Sequence, residues 1–152
     1  MNALWKTLHI ISMFLAFAFF MAPNLFAVVA LRTRDGGAIK RTVEGAKIFD
    51  RLGGASIGLG VVFGIITALT GDISLLSGWL VTAYILLALI IIVGEGLVAP
   101  RLRRVAAAIG EQGTMSPDAQ ALIRSSGLGV LTLVPPALFL GVVYVMVNKP
   151  FA

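Results

Sequence analysis

Four long apolar stretches set the pattern of this chain, at residues 4–31, 52–71, 75–100 and 127–147. Each is near or above the roughly 20 residues an α-helix needs to cross about 30 Å of hydrocarbon. The first carries no charge after Lys6, and the third carries one, Glu95. The apolar core of the first is longer than the roughly 7–15 residues of a secretory signal and lacks a small-x-small cleavage site, so it reads as a retained helix. The pattern predicts an all-α, four-helix transmembrane bundle forming one integral membrane domain over residues 1–152. An even number of crossings puts both termini on the same side.

The connections carry helical signals of their own. Between Ile39 and Arg51, the residues Ile39, Val43, Ala46 and Phe49 recur at helical spacing with charges opposite. This predicts a helix that runs directly into the second stretch. Ser116-Pro117-Asp118 reads as an N-cap, a first-turn proline and a dipole-favourable acid, so the fourth helix is expected to begin ahead of its apolar stretch. Gly110–Thr114 reads as a loop.

Composition removes the soluble alternative. The chain is 59% hydrophobic and 12% charged, against roughly 45–50% and about 25% in soluble domains. Too few polar residues remain to cover a water-facing surface. The formal charge is +5, from 12 Lys+Arg against 7 Asp+Glu. Its distribution matters more than its sum, because ten of the twelve basic residues fall in the two longer connections, Arg32–Arg51 and Arg101–Arg124. The positive-inside rule then predicts cytoplasmic basic loops and both termini outside, with Trp5, Trp79 and Tyr144 near the outer helix ends. The excess marks a side of the membrane, and no nucleic-acid partner is expected. Cysteine is absent, which excludes disulfides, thiolate nucleophiles, iron–sulfur ligation and covalent c-type haem.

Little polar material remains for chemistry. His9 is the only histidine and lies one to two turns inside the first helix, sharing a face with Trp5, Lys6, Ser12, Met13 and Ala16. An imidazole there can ligate haem iron, relay a proton, or simply bond a neighbouring carbonyl. Glu95, in Gly94-Glu95-Gly96, is the only acid within an apolar stretch. An intramembrane acid points to function by default, although a structural ion pair with an approaching Arg101, Arg51 or Lys47, or a snorkelled carboxylate, is the structural reading. Ser56, Gly60, Gly64 and Ala68 form a four-residue ladder, with Gly54 and Gly58 beside it. Such a ridge serves close helix packing, including homo-oligomerisation, or leaves room for a flat cofactor. Pro135-Pro136 predicts a kink in the fourth helix. Phosphate loops, HExxH and Ser/His/Asp sets are absent.

Several residues together carry a resemblance: Leu8-His9-Ile10-Ile11, then Pro23-Asn24-Leu25-Phe26, then Gly78-Trp79-Leu80, and finally Val134-Pro135 with Val147-Asn148-Lys149-Pro150-Phe151. In this order they resemble an uncharacterised family of predicted four-helix integral membrane proteins. They are also similar, more distantly, to the HemJ-type protoporphyrinogen oxidases and CopD-like membrane domains. That resemblance implies a protein of a bacterial inner membrane, with haem b or another tetrapyrrole held through His9 as axial ligand and Lys6 meeting a propionate. The third-helix lysine on which HemJ-type oxidases rely has no counterpart in Leu80-Val81-Thr82-Ala83-Tyr84, so no catalytic residue is assigned. Two other classes stand beside this one: a non-catalytic accessory subunit of a larger membrane complex, and a small transporter using Glu95 and the proline kink. In each the chain meets membrane lipid.

Overall fold

The computed structural model describes residues 2–125 and 127–150; Phe151 of the closing motif lies outside them. Among the described residues every regular element is helical. Two long helices open the chain, α1 (Asn2–Thr33) and α2 (Gly36–Thr70). After a short turn come α3 (Gly78–Val93), a π-helical stretch (Gly94–Val98) and α4 (Ala99–Ala107), which run on as one rod. Then follow α5 (Pro117–Ser125), α6 (Leu128–Leu131) and α7 (Val134–Asn148). Four helical segments are long and apolar enough to cross a membrane: Ala3–Thr33, Gly36–Thr70, Gly78–Ala107 and Leu128–Asn148.

The polar Ile39–Arg51 segment is part of α2, continuous with the apolar stretch beyond it. Asp35 starts this helix by accepting the Ala38 N–H at 2.9 Å, satisfying one of the backbone donors a helix leaves open at its N-terminus. The turn before it is tight, with Arg34 at φ 54°. A side chain at Gly36 would run into the carbonyl of Gly113, and Lys40 Nζ donates to the Gly110 carbonyl at 2.9 Å. The α1–α2 turn is thereby tied to the 110–114 loop.

The third rod contains a feature the sequence pattern did not predict. Ile90 and Val98 are both buried, yet eight residues of α-helix would set them about 80° apart around the axis. The π stretch absorbs one residue, which brings the two within about 20° of a common face. Third-helix structure begins at Gly78 rather than Leu75, because Ser77 folds back onto Ser74 in a turn, N–H to carbonyl at 3.0 Å.

The fourth crossing is broken rather than kinked. Ser116 caps α5, its Oγ accepting the Ala119 N–H at 3.1 Å, but Gly127 adopts φ 56° and interrupts the helix. A second interruption at Thr132–Leu133 places Pro135 and Pro136 in the first turn of α7. There their missing N–H groups remove no helical hydrogen bond.

α1 lies along α2, and α3 lies along α7. At the end carrying the basic connections (the basic end), Leu31, Ile39, Val105, Ile109 and Leu128 close one apolar cluster around Ala30 and Ala119. Towards the opposite, terminal end, Trp79, Leu80, Ala83, Ile90, Phe139 and Val142 join α3 to α7. Phe17 of α1 reaches Phe139 with ring centroids 4.9 Å apart. Met13 of α1 also packs against this cluster.

Candidate functional site

α1 and α2 approach closely because small residues face one another. Ser12, Ala16 and Ala27 on α1, and Gly53, Ser56 and Gly60 on α2, are buried. Lipid tails are as apolar as leucine, so helix association in a membrane relies on close packing and hydrogen bonding, which small residues permit. The ladder is filled by side chains of α1. A Cβ on Gly60 would lie 2.6 Å from Met13 Sδ, and one on Gly64 would lie 3.0 Å from His9 Cε1 and Nδ1. Gly54 and Gly58 depart from the expected single ridge, with nothing within 4 Å of an added Cβ. Each stands two residues from a ladder position, a rotation of about 200° that turns it to the far side of α2.

His9 is thus seated on glycine. Its Nδ1 lies 2.7 Å from the carbonyl oxygen of Gly60. A carbonyl only accepts, so Nδ1 carries the hydrogen, and in the neutral ring Nε2 holds the free lone pair. Nε2 has no hydrogen-bond partner among the described residues, and no sealed-off side-chain nitrogen or oxygen lacks one. It is therefore open to whatever occupies the space beside it.

That space is a groove of about 580 Å³ between the two helix pairs at the terminal end. All four crossings line it: His9 and Met13 from α1, Gly64 and Ala68 from α2, Trp79, Ala83 and Tyr84 from α3, Val142 and Met146 from α7. Its two cations are Lys6 and Lys149. Lys149 ends α7 with φ 43°, and its Nζ stands 5.5 Å from the centroid of the Trp79 ring, within cation–π range. Sequence reasoning singled out His9 and Lys6 and missed Lys149, Trp79 and Met146. The available signal was their shared level, since an even-numbered bundle returns its last residues to the height of its first.

Glu95 sits apart from this groove. It lies in the π stretch, exposed, and pairs with none of Arg101, Arg51 or Lys47, in contrast to the expected ion pair. The only salt bridge among the described residues joins Arg41 and Asp35. The extra residue of the π stretch turns Glu95 instead towards a small cavity of about 60 Å³ that it shares with Asn24, Thr42, Asp50 and Arg103, between Pro23 and Pro135. Asp50 feels the charges of both Glu95 and Arg103. Asn24 Nδ2 donates to the Phe20 carbonyl at 2.7 Å, beside the proline. Among the described residues, no three His, Cys, Asp or Glu side chains gather as a metal site.

No curated protein and no solved structure matches the chain. A match is found to a family described as "Predicted integral membrane protein (DUF2269)", over residues 3–150. It takes in all four apolar helices as well as the groove they enclose, and the chain belongs to this family of predicted integral membrane proteins.

Proposed function

We propose that this membrane protein holds a planar amphiphile bearing acidic groups, haem b or another tetrapyrrole, in the groove at its terminal end, with His9 Nε2 as axial ligand. The observation that carries this reading is the 2.7 Å contact of His9 Nδ1 with the Gly60 carbonyl. Ligating histidines characteristically donate their second ring nitrogen to a carbonyl or carboxylate, which fixes the tautomer and orients the ring. The residues present fit such a group. The groove lies within the roughly 300–1,000 Å³ of small-molecule sites, its walls are mainly apolar, and Lys6 and Lys149 stand ready for carboxylates. Bound haem supplies one-electron chemistry. The chain's own residues bind it, orient it and shield it from water, and no residue is given a catalytic role.

The ten basic residues at the opposite end support an orientation with basic loops cytoplasmic and the groove near the outer face of a bacterial inner membrane. Absorption spectroscopy of the detergent-purified protein tests the ligand. A Soret band in the wild type that is lost in His9→Ala is expected. A wild type that is colourless and stays so after haem is added would overturn the reading.

A further inference from the structure

A second groove, also of about 580 Å³, opens sideways between α1 and α2 near the basic end. Phe26 and Val29 of α1 and Gly45, Ala46 and Phe49 of α2 form its walls, and Arg41 stands at its far end. Only these two helices and the turn between them line it, so it faces outward from the bundle. Its level is unusual. The apolar run of α2 from Leu52 to Thr70 rises about 28 Å, which already accounts for the hydrocarbon layer. The groove lies on the continuation of the hairpin beyond Leu52, where the membrane gives way to headgroups and water. Phe26 and Val29 are nonetheless 60% and 59% exposed there. An apolar surface at headgroup level calls for an apolar cover.

The charges around it define what that cover carries. Residues 32–51 hold six basic and three acidic side chains. Arg41 is held only loosely, its guanidinium 3.9 Å from Asp35 and its side chain 74% exposed. Asp35 is meanwhile occupied in capping α2. A guanidinium with spare donors, in a basic surround, matches a phosphodiester in the paired geometry that makes arginine the favoured residue for phosphate.

We propose that this groove binds one anionic phospholipid, an acyl chain lying between Phe26 and Phe49 over Gly45 and the phosphate on Arg41. The wedge of apolar surface draws the chain beyond the hydrocarbon boundary, and the basic surround selects an anionic headgroup over a zwitterionic one. The site is independent of the His9 groove, which lies at the other end of the bundle.

Native mass spectrometry of the full chain, released from detergent with phosphatidylglycerol or phosphatidylcholine of the same acyl composition, tests this. Two variants separate the head from the chain. Arg41→Gln removes the phosphate contact. Gly45→Leu fills the groove, and an added Cβ there meets nothing within 4 Å, so α2 accommodates it. The expected result is a retained phosphatidylglycerol adduct in the wild type that falls about tenfold in Arg41→Gln, the size of one lost charge-assisted contact, and at least as far in Gly45→Leu, where the acyl chain loses its space. Arg104→Gln, exposed on α4 away from the groove, keeps the adduct within about twofold. Equal retention of the two lipids by the wild type overturns the proposal. So does an adduct indifferent to both variants, or a protein dimer in place of lipid that the groove variants abolish. If Gly45→Leu shows a lowered melting midpoint, Arg41→Gln carries the test alone.

Discussion

Gly64 and His9 depend on each other at the level of single atoms. An added methyl at Gly64 would stand 3.0 Å from the imidazole, and the ring must then shift by a few tenths of an ångström against its bond to Gly60. Overpacking of this kind costs about 1–3 kcal/mol. Gly64→Ala is therefore expected to lower the thermal midpoint in detergent and to weaken any Soret band. Gly60→Ala should be milder, because the atom it meets first is the thioether of Met13, the far end of a flexible side chain. Gly58→Ala, with open space around it, should hold stability or raise it by up to about 1 kcal/mol through helix propensity. The same three melts check all three variants. His9 was legible in the sequence as a lone polar group on a small-residue face. Its carbonyl partner was not, since Gly60 lies 51 residues away and a backbone oxygen leaves no trace in a side-chain pattern. Glu95 was legible as an intramembrane acid, but its neighbours were not, because they depend on a helix that is not α-helical. With no ion pair to lose, Glu95→Gln should leave the stability within about 0.5 kcal/mol of wild type, read from the melt; a large drop would show a partner that the geometry does not contain.

At the scale of the element, the π stretch reconciles two buried faces that lie one residue out of step. Ile90 serves the contact of α3 with α7, and Val98 and Val105 serve the packing towards the basic end. Deleting Gly96 would remove the residue that the π stretch absorbs and leave a plain α-helix, with the two faces still within about 20° of each other. Deleting Gly96 and Leu97 together would instead rotate one face off its contacts by about 100°. The single deletion should melt near the wild type, while the double deletion should lose more than about 3 kcal/mol and show a collapsed melt or absent membrane accumulation. Gly96→Ala, whose new methyl meets nothing within 4 Å, should remain near wild type and separates register from flexibility. The four apolar elements themselves were legible because run length alone decides them. Their interruptions were harder. The sequence pattern predicted a kink at Pro135-Pro136, whereas α7 starts afresh there, since restarting places both prolines where the missing N–H groups cost nothing. Gly94-Glu95-Gly96 was visible as a weak helical spot, but the bulge follows from which flanking residues are buried, and burial is a tertiary property.

For the whole molecule, an apolar cluster joins the two helix pairs at the basic end, and a groove opens between them at the terminal end. A chain with no cysteine makes its orientation directly measurable. Single cysteines at Asp72, in the turn before α3, and at Gln112, in the 110–114 loop, are both exposed. In intact cells, an impermeant thiol reagent is expected to label Asp72→Cys and to reach Gln112→Cys only after permeabilisation. The reverse pattern would invert the orientation proposed above. The division of charge between ends was plain in the sequence. The groove was not, because an opening between helix pairs arises from where large side chains stop meeting, which no single segment encodes.

The length of α2 has a consequence for where such a protein can live. Thirty-five residues rise about 52 Å, well beyond any bilayer core, so the ends of the helix do not fix the thickness it spans. That thickness is marked midway by Lys47 and Arg51, both exposed. Exchanging Arg51 for an apolar residue would move the boundary by about a helical turn without altering a loop or breaking the hairpin. The fold can thus be retuned to thinner or thicker bilayers, and so sorted among membranes, by one or two surface substitutions along a rod already long enough for either.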